Sequence, residues 1–152
     1  MSAMEDNTIY IGIDPGKDGA LAALYPNGSV YVCPFDKAAY VSFFAGVHDM
    51  YVKAVLEHVG AMPGQGSVSM FHFGEVFGWL QGALDSFGIP YELVRPQKWK
   101  KEFSCTSDKN TSIEVARRMF PRTDLRRTPK CKGPHDGICE ALLMAEYGRR
   151  HA

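Results

Sequence analysis

The sequence predicts one α/β domain on a mixed five-stranded sheet, with three antiparallel strands first and crossover strands after them, flanked by helices. Three observations predict it. A β-branched, alternating run opens the chain, and two turn signals, Pro15-Gly16 and Pro26-Asn27-Gly28, separate it from two further short apolar runs. Apolar residues then move to helical spacing. From there, strand-like and helix-like segments alternate, which is the pattern of a sheet continued through helical crossovers. A chain of 152 residues suits a single domain with a hydrophobic core, here taken as 1–152 with residues 1–7 expected to be disordered.

Thr8–Asp14 (TIYIGID) reads as the first strand, Ala20–Tyr25 as the second and Ser29–Cys33 as the third. Lys37–Asp49 has the spacing of a short helix, and Lys53–Val59 (KAVLEHV) reads as a fourth strand. Ala61–Ser69 is loop-like, with Gly64 and Gly66. Met70–Phe87 is a long amphipathic helix stopped by Gly88, and Tyr91–Val94 is the fifth strand. Pro96–Phe103 is a short basic turn or helix. The next helix is capped near Ser107 or Thr111, the latter forming a capping box with Glu114, and it ends at Phe120-Pro121. Arg122–Pro134 is a basic loop, and His135–Arg150 is the final helix. The predicted order is β-β-β-α-β-α-β-α-α.

Composition narrows the classes. The 45% hydrophobic and 22% charged content is that of an ordinary soluble protein, and no apolar run reaches about 18 residues, so no membrane span is expected. Met1 to Thr8 is polar and acidic, without the basic and apolar regions of a signal peptide. The four cysteines, Cys33, Cys105, Cys131 and Cys139, form no C-x-x-C pair, which favours reduced thiols and a cytoplasmic setting. Cys131, His135 and Cys139 recur every four residues, but no fourth zinc ligand accompanies them and Pro134 interrupts the segment. The net charge of zero hides a division: residues 1–90 carry three Lys/Arg against nine Asp/Glu, and residues 91–152 carry fourteen against eight. Such asymmetry suits a polyanion-binding half beside an acidic half; scattered solvated charge is the plain alternative.

Four carboxylates stand out. Asp14 ends an apolar strand just before a sharp turn, where α/β folds place functional groups, although Asp before Pro-Gly is also a common turn former. Glu57 follows Ala54, Val55 and Leu56; within a buried strand it needs a partner or a metal, and on an edge strand it would simply face water. Asp136 and Glu140 lie four apart at the start of the last helix and share one face. Asp136 alone would serve as a helix cap, whereas Glu140 lies on the apolar side. Gathered carboxylates repel, and hard divalent cations relieve that repulsion. Two such ions about 4 Å apart suit in-line phosphoryl displacement.

These residues carry a resemblance. Ile11-Gly12-Ile13-Asp14-Pro15-Gly16 followed by Gly19-Ala20-Leu21-Ala22 resembles the first motif of RuvC-like Holliday-junction resolvases, members of the RNase H-like (retroviral integrase) superfamily. Val55-Leu56-Glu57-His58-Val59 resembles their second motif, and His135 to Leu143 their last. Lys109 matches a basic residue placed before the penultimate helix, and Phe120-Pro121 closes that helix as in relatives. The resemblance runs from about residue 8 to residue 150. It implies an RNase H-like fold, a homodimer, Mg²⁺ dependence with Mn²⁺ as substitute, no small-molecule cofactor, and paired symmetric nicking of four-way DNA junctions by water. It implies Asp14, Glu57, Asp136 and Glu140 as metal ligands. The chain departs in one respect: bacterial members commonly space the last acidic pair three apart with Asp or His first, whereas here the spacing is four and the second member is Glu. That is closer to phage and organellar branches, fits a bacterial or phage-infected cell, and leaves His135 as a supporting residue or phosphate contact.

The basic half supplies the DNA-facing residues. Arg95, Lys98, Lys100 and Lys101 surround Trp99, read as a half-buried anchor, and Arg117, Arg126, Arg127 and Lys130 come after them, with Lys109 among the DNA contacts. Arg126-Arg127 reads as part of a mobile basic loop that orders on DNA. In resolvases the segment after the Glu57 strand contributes an apolar wedge at the junction centre, for which Met62 or Phe71 is the candidate. Phe73 and Phe77 read as core or dimer contacts. Gly74, Gly78 and Gly82 recur every four residues and suggest a close packing or dimer seam. Two other functions fit the same residues: an RNase H-like nuclease of broader branched-DNA or flap specificity, and a non-catalytic branched-DNA binding module. A sugar-kinase or actin-like half would need a second domain for which the chain has no room.

Overall fold

The computed structural model describes residues 6–60 and 64–152. Residues 1–5 and Met62, the first wedge candidate, lie outside it. Asp6 is anchored, accepting hydrogen bonds from the Thr8 amide at 3.0 Å and the Tyr10 hydroxyl at 2.6 Å.

The chain forms ten elements in order: β1 (Ile9–Asp14), β2 (Ala20–Leu24), β3 (Val30–Pro34), α1 (Lys37–Val47), β4 (Val52–Glu57), α2 (Ser67–Ser86), β5 (Tyr91–Val94), α3 (Pro96–Glu102), α4 (Lys109–Met119) and α5 (Asp136–Arg150). The sheet order is β3-β2-β1-β4-β5. β1 pairs antiparallel with β2, and β2 with β3, while β1–β4 and β4–β5 are parallel. The predicted mixed five-stranded sheet is therefore present. Gly28, at φ 89°, supplies the left-handed turn that closes the β2–β3 hairpin.

Alternation along the strands divides the core in two. Ile9, Ile11 and Ile13 of β1 join Leu21, Leu56, Tyr40, Phe44, Leu80 and Leu84 in a cluster under α1 and α2. The other face of the sheet receives α5. That helix is buried from Gly137 through Tyr147, so it forms the middle of a layer completed by α3 and α4. Gly12 makes the contact possible. A Cβ there would collide with the Ala141 carbonyl oxygen and the Ala145 amide nitrogen, so any larger residue would lift α5 off β1.

Several boundaries differ from expectation for local reasons. Pro96–Glu102 is a true helix, started by Pro96 at its first turn, which adds a tenth element. α2 begins at Ser67, three residues before Met70, because Gly66 rather than a side chain stands at its N-cap. α4 is capped by neither Ser107 nor Thr111. Asp108 does it, its Oδ1 accepting from the Asn110 amide at 3.0 Å. Thr111 instead braces the turn, its hydroxyl donating to the Asp108 carbonyl at 2.6 Å and accepting from the Thr106 amide at 3.0 Å. β4 stops at Glu57, two residues short of Val59.

Candidate metal centre and its basic flanks

Asp14 and Glu57 are the last residues of neighbouring parallel strands. The register pairs Ile13 with Leu56, so the two carboxylates leave adjacent strand ends on the same face of the sheet, the one that α5 covers. α5 brings Glu140 to them from above. Asp14, Glu57 and Glu140 each offer a carboxylate oxygen, and these three atoms lie within 4.8 Å of one another. Among the described residues no other group of His, Cys, Asp and Glu side chains offers three such atoms, so Cys131, His135 and Cys139 do not form one. Oxygen-only donors at this spacing, with two of the residues buried, fit a hard divalent cation.

Asp136 stands apart from the three. Its Oδ2 is 2.9 Å from the Lys109 ammonium, which is also 3.9 Å from Glu140 Oε1. Lys109, expected among the DNA contacts, thus sits at the rim of the acidic cluster. His135 is the N-cap of α5, its Nδ1 accepting from the Ile138 amide at 3.2 Å. A Cβ at Gly137 would strike the His135 ring and the Asp18 carbonyl, so Gly137 lets the helix start close to the β1–β2 turn.

The electrostatics arise from this crowding. Asp14 keeps some solvent-accessible surface, yet protein encloses it on most sides. Burial, then the charges of Glu140 and Glu57, push its pKa well above the carboxylate range. Burial raises Glu140 to about 7, with Lys109 pulling the other way and Glu57 adding to the rise. Burial raises Glu57 too, against a stabilising hydrogen bond from Trp99. Partial burial also pushes Asp136 upward, but the hydrogen bond and charge of Lys109 outweigh it and the net direction is down. Burial disfavours the Lys109 ammonium, and the hydrogen bond to Asp136 with the field of Glu140 more than offsets that. The three clustered carboxylates therefore carry a net cost of ionisation that their neighbours only partly offset, while in Asp136 the counter-charge wins.

No family model matches the chain, and no curated protein matches it in sequence. Solved structures match it in fold. RuvC from Thermus thermophilus in complex with Holliday junction substrate superposes with a TM-score of 0.61, at 14% identity, covering 93% of this chain and 96% of that one. The fold is that of RuvC. A second Thermus thermophilus RuvC structure gives a TM-score of 0.54 at 17% identity over 94% of this chain and 96% of that one. The RuvC fold fits the RNase H-like class read from the ordered motifs, and the acidic residues occupy strand ends and a helix start of that fold.

One cleft on this RuvC-like frame opens onto Asp14 of the acidic cluster, and a second begins at His58, just past the Glu57 strand end. The first, of about 530 Å³, is lined by Asp14, Lys17, His72, Phe73, Lys109 and Asp136. The second, of about 830 Å³, is lined by His58, Arg95, Gln97, Lys100, Lys101 and Ser107. Lys98 borders a continuation of the second cleft with Arg95 and Lys101. Arg95, Lys98, Lys100 and Lys101 are thus gathered on one side. Arg117 lies in the last turn of α4, and Arg126, Arg127 and Lys130 lie on the loop before α5. Within that loop Arg126 binds Asp124 through two hydrogen bonds of 2.9 and 2.8 Å, and Arg127 reaches Asp18 of the β1–β2 turn at 3.6 Å. Phe71 is 68% exposed on the first turns of α2, and Cβ atoms built at Gly74, Gly78 and Gly82 would meet nothing within 4 Å.

Trp99 is the residue that sequence reasoning misjudged. It is fully buried rather than a half-buried anchor, and its Nε1–H donates to Glu57 Oε2 at 2.7 Å. Two signals pointed to this pair: a buried indole needs an acceptor, and a buried carboxylate needs a donor. Nothing in a single sequence joins positions 42 residues apart.

Proposed function

We propose that the protein is a divalent-cation-dependent endonuclease that resolves four-way DNA junctions by paired nicks, acting as a homodimer. The observation that carries this reading is the convergence of Asp14, Glu57 and Glu140 from three separate elements into one oxygen cluster. Mg²⁺ is the expected cation, with Mn²⁺ substituting. A cation held there supplies charge neutralisation to a phosphodiester undergoing in-line attack by water. Asp14, Glu57 and Glu140 would hold it, and its charge would offset their mutual repulsion. Asp136 completes the ligand set. Its present partner, Lys109, is exposed enough to exchange readily, because surface ion pairs are weak. Lys109 then contacts the phosphate, and His135, with Nδ1 engaged, offers Nε2 to it.

The basic cleft of Arg95, Lys98, Lys100 and Lys101 supports backbone binding on one side of the cluster. Arg117 on α4 and Arg126, Arg127 and Lys130 on the loop before α5 are further candidates for backbone contact. The exposed glycine stripe and Phe71 of α2 support a seam with a second copy, and a two-fold dimer presents two sites to a two-fold junction. Among the described residues no helix is long and apolar enough to cross a membrane, in keeping with a proposed cytoplasmic setting.

The test is cleavage of a labelled four-way junction with and without Mg²⁺ by the natural protein and by Asp14→Asn. Symmetric paired nicks by the former, and junction binding without nicking by the latter, are expected. Retained cleavage by Asp14→Asn in Mg²⁺ overturns the site assignment. Equal cutting of four-way, three-way, flap and hybrid substrates assigns the same site to a broader RNase H-like nuclease, and binding without cleavage by the natural protein assigns a non-catalytic module.

A further inference from the structure

We propose that Trp99 is a positioning residue that fixes the Glu57 carboxylate toward Asp14 and Glu140 and joins the cation-binding cluster to the basic cleft lined by α3. This rests on the proposed function, in which the cluster holds a divalent cation. A carboxylate on a flexible side chain rotates about its last bond. One that accepts a 2.7 Å hydrogen bond from a fully buried indole does not. The indole is held in turn by Val55, Val94, Val115, Leu143 and Met144, part of a cluster that spans β4, β5, α4 and α5.

The same short helix is gripped at its other end. Glu102 accepts from Arg150 at 3.1 Å and lies 2.9 Å from His151 Nε2, both just beyond or within the last turn of α5. Glu146 of α5 holds Arg150 as well, at 2.9 Å. α3 therefore braces β4, which carries Glu57, against α5, which carries Glu140. Its outward side chains, Lys100 and Lys101, line the basic cleft, and the Lys100 ammonium stands 5.6 Å from the Trp99 ring centroid. A polyanion seated in that cleft acts on the helix whose indole orients Glu57. Groups that orient a ligand without touching the metal typically alter its affinity by about 10–100-fold.

The experiment is Mn²⁺ binding by calorimetry to the natural protein, Trp99→Phe and Asp14→Asn. Phenylalanine keeps most of the ring volume and removes the N–H. The expected result is a folded Trp99→Phe protein that binds Mn²⁺ about tenfold more weakly. Its half-maximal cleavage should move to higher Mn²⁺, with kcat recovering at saturation. A folded Trp99→Phe with natural Mn²⁺ affinity overturns the proposal. If Asp14→Asn binds as tightly as the natural protein, the cluster reading fails, whatever Trp99 does. A second measurement covers a Trp99→Phe that does not fold. In Trp79→Phe the one remaining indole N–H resonance belongs to Trp99, and it should shift on adding Mg²⁺. A resonance unmoved by saturating Mg²⁺ overturns the proposal independently.

Discussion

Replacing Glu140 by Gln should stabilise the metal-free protein, by an amount that grows from about pH 4.5 and is complete above about pH 7. Glu140 is 4% exposed, and burial raises its pKa from the ordinary 4.5 to about 7. In the unfolded chain it ionises near the ordinary value, so between those limits the native state holds a proton that the unfolded state has released. Stability from this group is complete below about pH 4.5 and is lost as pH rises to about 7. The full difference corresponds to about 3 kcal/mol as an upper figure. Asp14 and Glu57, also raised, push the same way. His135, lowered by burial, pushes the opposite way in its own range, so the comparison with Gln is what isolates Glu140. For a domain of this size the figure converts to a rise in Tm of at most about 6–12 °C. Thermal melts of both proteins in chelator at pH 5 and pH 8 read it. The variant should melt well above the natural protein at pH 8 and within about 2 °C of it at pH 5. Mg²⁺ should close the gap at pH 8 by stabilising the natural protein through mass action. A variant no more stable at pH 8, or equally favoured at both pH values, refutes the account of Glu140 as a buried, crowded carboxylate.

The packing and the charge each make a further prediction. Gly12→Ala should lose more than about 3 kcal/mol in a urea titration, because its methyl meets backbone atoms of α5 that cannot rotate away; a loss under about 1 kcal/mol means α5 does not approach β1 this closely. Arg95→Ala with Lys101→Ala should weaken four-way-junction binding for every sequence tested and lower the slope of log affinity against log salt by about 2, measured by fluorescence anisotropy; an unchanged slope removes the second cleft from the DNA path.

The fold was legible because its signals are local. Isoleucines at every second position of β1 face one cluster, and Gly28 closes the hairpin where the turn was expected. The acidic residues were legible for a related reason: Glu57 and Glu140 interrupt apolar runs, and an unpaired charge there needs a partner. What stayed hidden was pairing at a distance. Lys109 read as a motif residue and a DNA contact, and only the placement of α4 beside α5 puts it on Asp136. Trp99 lay in a run of lysines that suggested a surface. The helix caps failed differently. Asp108, Ser107 and Thr111 all have capping chemistry, and the choice among them depends on backbone angles that composition does not reveal.

The sheet register has a consequence for how this site tolerates change. Asp14 and Glu57 share a face because each sits one step past a paired couple, Ile13 with Leu56. Side chains alternate faces with every residue, so a single inserted or deleted residue inside β1 or β4 would send one carboxylate into the α1–α2 layer. The cluster is thus a parity check on two strands: odd-numbered changes within them erase it with every acid still present in the chain. Insertions in the turn after Asp14 or the loop after Glu57 leave the parity intact, and length variation there keeps both carboxylates on the α5 face.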